Sequence, residues 1–217
     1  MIKAVLFDMD GLMFDTETAY SIVQTEMFKK RGKEFNNEIK RPLMGKRANE
    51  VIQRITEFWG TNERIEDVLQ EQDKTLREVF KNEVKKLDGL DDLISFLEKN
   101  NIRKCIGTSS RKFLVDILLE KYKFNDTFEF VVSGDMVTNG KPDPEIYNQC
   151  IVKLGLPASQ CLVLEDSLHG IHAGIAAGCH TCAIPSEYTR DQDFSGATLV
   201  AQTLGDGVIK EFILRNI

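Results

Sequence analysis

The stretch Ala4-Val5-Leu6-Phe7-Asp8-Met9-Asp10-Gly11-Leu12-Met13-Phe14-Asp15-Thr16 decides how this chain is read. Ala4 to Phe7 is an apolar run with the length and composition of a strand buried on both faces. It stops at Asp8; Asp10 follows, and Gly11 loosens the backbone behind them. Two carboxylates at the carboxyl end of a buried strand are costly unless something cationic holds them. In an open α/β sheet that end is also where ligands bind. The residues therefore predict a Mg²⁺ site with one aspartate as nucleophile and the other as acid/base. The plain alternative is a polar turn behind an edge strand.

Downstream the pattern turns helical. Ala19, Val23 and Met27 recur at four-residue spacing with Ile22 beside them, and Gly32 closes the segment. Val51, Ile52, Ile55, Phe58 and Trp59 form a second stripe ending at Gly60. Ile65, Val68, Leu69, Gln72, Leu76, Val79 and Phe80 form a third. No strand is predicted between residues 16 and 86. From Leu87 onward helices and strands alternate, with strands expected over 103–107, 129–132, 161–164 and 181–184. Such alternation predicts a parallel sheet with right-handed crossovers. The expected fold class is α/β: a Rossmann-like parallel sheet core made from residues 1–15 and 87–217, with a helical-bundle cap inserted at 16–86.

Bulk properties narrow the function. The chain has 217 residues, 42% of them hydrophobic and 29% charged, as in soluble globular proteins. A net charge of -6 gives no electrostatic footprint for nucleic acid. Neither a signal peptide nor a membrane span is predicted, so a cytoplasmic location is expected; a monomer is expected as well. Five cysteines, an odd number spread through apolar segments, read as reduced thiols. Cys179-His180-Thr181-Cys182 lacks the second Cys/His pair that a metal site of that type needs.

Polar residues collect at the expected carboxyl ends of successive strands: Asp8 and Asp10, then Thr108, Ser109 and Ser110, and later Glu165 and Asp166. Lys141 lies in the loop between the last two groups. A parallel sheet brings those ends to one edge. Asp8 and Asp166 can supply carboxylates to Mg²⁺, and the backbone carbonyl of Asp10 a third oxygen. Thr108 and Ser109 can hold phosphate oxygens with hydroxyl and N–H groups. Lys141 can neutralise a nucleophile and a transferring phosphoryl group. Taken singly, Thr108 or Ser110 could cap a helix and Lys141 could be a solvated loop charge.

The whole set, in this order, resembles the four motifs of the haloacid-dehalogenase-like superfamily, and within it the phosphatase and phosphomutase branch with a helical cap. Phe7-Asp8-Met9-Asp10-Gly11-Leu12 resembles motif one and Thr108-Ser109-Ser110 motif two. Gly140-Lys141-Pro142-Asp143-Pro144 resembles motif three, and Leu164-Glu165-Asp166-Ser167 with Gly170 motif four. The resemblance covers essentially the whole chain. It implies that Asp8 attacks phosphorus, and that Asp10 protonates the leaving alcohol and then activates water. It implies that Asp166 binds Mg²⁺ directly, with Glu165 in or just behind the ligand set. Dehalogenases of the superfamily lack the second aspartate and P-type ATPases carry a threonine there, so Asp10 points to phosphoester chemistry. The loop Leu43-Met44-Gly45-Lys46-Arg47 resembles the substrate-specificity loop of capped members, which makes Lys46 and Arg47 candidate substrate contacts. His169 and His172 are expected to pack or face solvent.

Three functions compete. The first is a Mg²⁺-dependent phosphatase of sugar or polyol phosphates, and the second a β-phosphoglucomutase-type phosphomutase. Ala48 stands where the mutases carry an arginine after the loop glycine, which favours the phosphatase. The third is a signalling receiver domain, but receivers are shorter, lack the helical insertion, and carry their acidic pair on the first strand.

Overall fold

The computed structural model describes residues 1–43 and 48–216. Among these residues six strands, numbered β1 to β6 along the chain, form one parallel sheet in the order β3-β2-β1-β4-β5-β6. They are β1 (Ala4–Phe7), β2 (Arg103–Gly107), β3 (Val131–Val132), β4 (Cys161–Glu165), β5 (His180–Ala183) and β6 (Leu199–Val200). β1 is central: Leu6 pairs with Cys105 of β2 on one side and with Val163 of β4 on the other. Its four side chains alternate between two apolar layers. Val5 and Phe7 join Ile106, Leu162 and Leu164, under the helices α5 (Leu90–Lys99), α6 (Lys112–Lys121) and α9 (Gly207–Arg215). Ala4 and Leu6 join Cys105, Cys161 and Val163, under α7 (Glu145–Leu154) and α8 (Leu168–Ala176). Burial on both faces is why the run is apolar without interruption, and each fully buried Leu or Phe contributes about 1.5–3 kcal/mol.

The segment between β1 and β2 is helical among its described residues: α1 (Thr16–Lys30), α2 (Asn37–Lys40), α3 (Ala48–Trp59) and α4 (Ile65–Asn82) lead up to α5. Ala19, Val23 and Met27 are buried, as are Val51, Ile52, Ile55 and Trp59, and Val68, Gln72, Leu76 and Phe80. Phe58 departs from its expected stripe and is half exposed. The chain leaves the sheet and returns to it at one place. Phe14 and Lys86 form an antiparallel bridge, Asp15 N donates to Lys85 O at 2.9 Å, and Leu87 N donates to Met13 O at 2.9 Å.

Two differences from the sequence reading stand out. The strand expected over 129–132 is reduced to its last two residues, although Glu129 N still donates to Lys104 O at 2.9 Å and Ile106 N to Phe130 O at 3.2 Å. β6 and α9 extend the sheet and its helical layer beyond the last expected strand.

Candidate active site

Asp8 directly follows β1, Thr108 directly follows β2, and Glu165 ends β4, with Asp166 next. Because these three strands are neighbours in register, the side chains meet at one edge. Lys141 comes from the loop before α7 and is buried among them. Its Nζ donates to Asp8 Oδ1 at 2.6 Å, to Glu165 Oε1 at 2.5 Å and to Gly107 O at 3.2 Å. Burial works against the Lys141 charge, but the two carboxylates more than offset it and hold the ammonium protonated.

Asp10 is held from β2. Thr108 Oγ1 donates to Asp10 Oδ2 at 2.9 Å and accepts from Ser110 N at 3.1 Å. Asp10 Oδ1 is buried with no hydrogen-bond partner among the described residues. Burial raises the Asp10 pKa, and the nearby hydroxyls of Thr16 and Thr108 offset part of the rise. Gly11 has φ +70, and a Cβ on it would stand 2.5 Å from Asp166 Oδ2. A side chain there would be both strained and in collision, which accounts for the glycine.

Asp8, Glu165 and Asp166 each offer a carboxylate oxygen, and these atoms lie within 4.8 Å of one another, all buried. Burial, reinforced by mutual repulsion, pushes Asp8 and Asp166 well above the usual carboxylate range. Among the described residues, these three buried carboxylates are met by one ammonium, that of Lys141, which leaves excess negative charge that a cation would relieve. An all-oxygen donor set suits Mg²⁺. Glu165 is the member least free to ligate: Lys141 and the Tyr147 hydroxyl, at 2.7 Å, hold Oε1, while Ser167 N and Oγ hold Oε2.

The structure thus brings together Asp8, Asp10, Thr108, Lys141, Glu165 and Asp166. Ser109 stands beside Thr108, half-buried, and makes no side-chain hydrogen bond among the described residues. Lys46 and Arg47 lie outside the described residues. His169 and His172 face solvent. Four further side chains at the site were not anticipated. Tyr147 reaches Glu165, and Tyr20 of α1 hydrogen-bonds Ser110 Oγ at 2.9 Å. Arg111 forms a two-pronged ion pair with Asp73 of α4. Glu17 faces Lys40 Nζ at 3.7 Å, and Lys40 Nζ lies 3.8 Å from the Tyr188 ring centroid. Glu17, Tyr188, Gly11 and Ser186 help line a cavity of about 360 Å³. Adjacency to a motif is the one sequence signal shared by Glu17 and Arg111; Tyr20 and Tyr147 depend on which way a helix faces.

Known proteins extend the comparison. Residues 5–184 match the haloacid dehalogenase-like hydrolase family. CbbY of Rhodobacter capsulatus is 31% identical over 206 residues, covering 90% of this chain and 91% of that protein. A phosphorylated carbohydrates phosphatase of Thermotoga maritima is 29% identical over 177 residues, 82% of each chain. A variant of CbbY from Rhodobacter sphaeroides, crystallised with xylulose-1,5-bisphosphate, superposes with a TM-score of 0.85 at 27% identity, covering 94% of this chain and 96% of that one. The family match runs from β1 through β5 and so takes in every strand that delivers a carboxylate or hydroxyl to the site. The chain belongs to the haloacid dehalogenase-like hydrolases.

Proposed function

We propose that the chain is a Mg²⁺-dependent phosphatase that hydrolyses small phosphorylated sugars or polyols through an aspartyl phosphate on Asp8. One observation carries this reading: Lys141 Nζ sits 2.6 Å from Asp8 Oδ1 beside the buried carboxylate cluster. A carboxylate is a weak nucleophile toward an anionic phosphoryl group, so catalysis depends on cancelling charge and fixing position. Asp8, Asp166 and the Asp10 carbonyl would hold Mg²⁺, which when bound offsets the negative charge shared by nucleophile and phosphate.

In this reading an Asp8 carboxylate oxygen attacks phosphorus while the bond to the leaving oxygen breaks. Protonated Asp10 gives its proton to the departing alkoxide. Asp10, now ionised, takes a proton from water as that water attacks phosphorus; the Asp8 oxygen departs and inorganic phosphate is released. The raised pKa of Asp10 suits a group that must be protonated in the first step and ionised in the second. Ser109 and, once its hydroxyl turns from Asp10, Thr108 hold phosphoryl oxygens; Lys141 steadies Asp8, and Lys46 and Arg47 are the proposed cap contacts to substrate. Residues 16–86 act as a cap that moves against the body formed by 1–15 and 87–217. The substrate class is supported by the phosphorylated carbohydrates named for one relative and the xylulose-1,5-bisphosphate bound to another.

The test is phosphate release over a panel of sugar, polyol and nucleotide monophosphates, with Mg²⁺ and with excess chelator. Mg²⁺-dependent release from sugar or polyol phosphates is expected, and full activity in chelator would overturn the metal assignment. On β-glucose 1-phosphate, net phosphate release without any bisphosphate is expected. Glucose 6-phosphate formed only with the 1,6-bisphosphate would establish a mutase instead.

A further inference from the structure

Glu165 is clamped from every side. Oε1 accepts from Lys141 Nζ at 2.5 Å and from the Tyr147 hydroxyl at 2.7 Å. Oε2 accepts from Ser167 Oγ at 3.0 Å and Ser167 N at 3.3 Å. Behind the carboxylate stands Gly170, where a Cβ would overlap the Glu165 carboxyl group. Tyr147 is fully buried in the first turns of α7, and its ring centroid lies 5.0 Å from Lys141 Nζ. One short segment, 141–147, therefore supplies both donors to the same oxygen.

A buried tyrosine hydroxyl needs an acceptor, and a backbone carbonyl would serve for packing alone. Tyr147 instead donates to the carboxylate that competes with Asp8 for Lys141. That ammonium stands 2.6 Å from Asp8 and 2.5 Å from Glu165, so a stronger hold by Glu165 is a weaker one by the nucleophile. Glu165 also has an oxygen within 4.8 Å of ligand atoms on Asp8 and Asp166, close enough to enter their set if it turned. The phenol proton occupies part of the acceptor capacity of Oε1 and blocks that turn.

We propose that Tyr147 is a positioning residue for phosphoryl transfer: its hydroxyl fixes Glu165 so that Lys141 remains shared with Asp8. The inference rests on the phosphatase reading above. Phenylalanine at 147 fills the same space but leaves Glu165 Oε1 to Lys141 alone, and the ammonium is drawn from Asp8. Tyr147 lies behind the carboxylates, so substrate binding is untouched.

The experiment compares Tyr147→Phe, Tyr147→Leu, Glu165→Gln and the Phe/Gln double variant with the wild type, following phosphate release at saturating Mg²⁺ and the melting temperature. Tyr147→Phe is expected to lower kcat about 10- to 100-fold, the range for groups that orient a reacting shell, with KM within about twofold. In the Glu165→Gln background the same change should alter kcat less than about twofold, because the group it acts through is gone. Tyr147→Leu should match Phe in kcat while melting lower. Three results would overturn the inference: Phe at wild-type kcat, an equal loss in both backgrounds, or losses that track melting temperature alone. A wild type that releases no phosphate from any substrate defeats the phosphatase reading and this inference with it. An active wild type beside an unaffected Phe variant defeats this inference only.

Discussion

Thr108 Oγ1 donates to Asp10 Oδ2 at 2.9 Å and so ties the end of β2 to the loop behind β1. The hydroxyl has one proton and spends it on Asp10, since its own oxygen accepts from Ser110 N. A donor to a carboxylate favours the ionised form, so deleting it should raise further a pKa that burial has already raised. Thr108→Val is expected to move the limb of the pH–rate profile governed by Asp10 to higher pH and to reduce kcat about tenfold or more. A profile superimposable on the wild type would contradict the assignment.

Asp8→Asn and Asp10→Asn should both abolish turnover, by different routes. The first removes the proposed nucleophile, and no covalent phosphoenzyme should form. The second leaves Asp8 able to accept a phosphoryl group from an activated donor but removes the base for its hydrolysis, so the phosphoenzyme should persist. Intact-protein mass spectrometry after exposure to an acyl phosphate distinguishes the two. Phosphorylation of the Asp8→Asn protein at the wild-type level would mean that another residue is the nucleophile.

Mg²⁺ binding should release protons. Burial and mutual repulsion raise Asp8 and Asp166, and a cation binds only their ionised forms. Affinity for Mg²⁺ is therefore expected to strengthen with rising pH, at pH values above the ordinary carboxylate range, as those protons become easier to displace. Calorimetry in two buffers of different ionisation heat reads the proton count directly. A pH-independent affinity with no released proton is the result that would count against these ligands.

Glu17 offers a test of stability. Burial pushes its pKa up from 4.5 to about 7, with Lys40 offsetting part of the rise. A carboxyl group with a raised folded-state pKa stabilises the fold below its unfolded value, and that contribution is lost as pH rises through the folded value. The wild type should therefore lose stability between about pH 4.5 and about pH 7 through this group, and Glu17→Gln should lack that part of the loss. Melting curves of both proteins at the two ends of the window give the comparison. Identical pH dependence in both would place Glu17 in water and not in the interior.

The core of this fold was legible because its strands are continuous apolar runs that end in polar residues. Ala4–Phe7 before Asp8 and Cys161–Glu165 before Asp166 show that grammar plainly. The sheet edges were not legible. β6 is two residues long with Val200 half exposed, so it carries no pattern of its own. Only Ile209 and Ile213 of α9 are buried, too few to mark a helix by periodicity. At the strand ends, residue types and order pointed to Asp8, Asp10, Thr108, Lys141, Glu165 and Asp166, which the fold brings together. What sequence could not show was how donors are divided among them. That division depends on how far α7 is rotated toward β4, a tertiary property with no local signature.

The bridge between Phe14 and Lys86 has an evolutionary consequence. The excursion from β1 begins and ends at adjacent points of backbone, so the sheet meets the same closed junction whatever lies between. Closing such a loop becomes only slowly costlier with length, by about 0.6 kcal/mol for each doubling. The excursion can therefore be lengthened, trimmed or exchanged without displacing β1 against its neighbours. Variation in that module is decoupled from variation at the strand ends, so in the function proposed above selectivity and bond-breaking chemistry can be inherited and altered as separate traits.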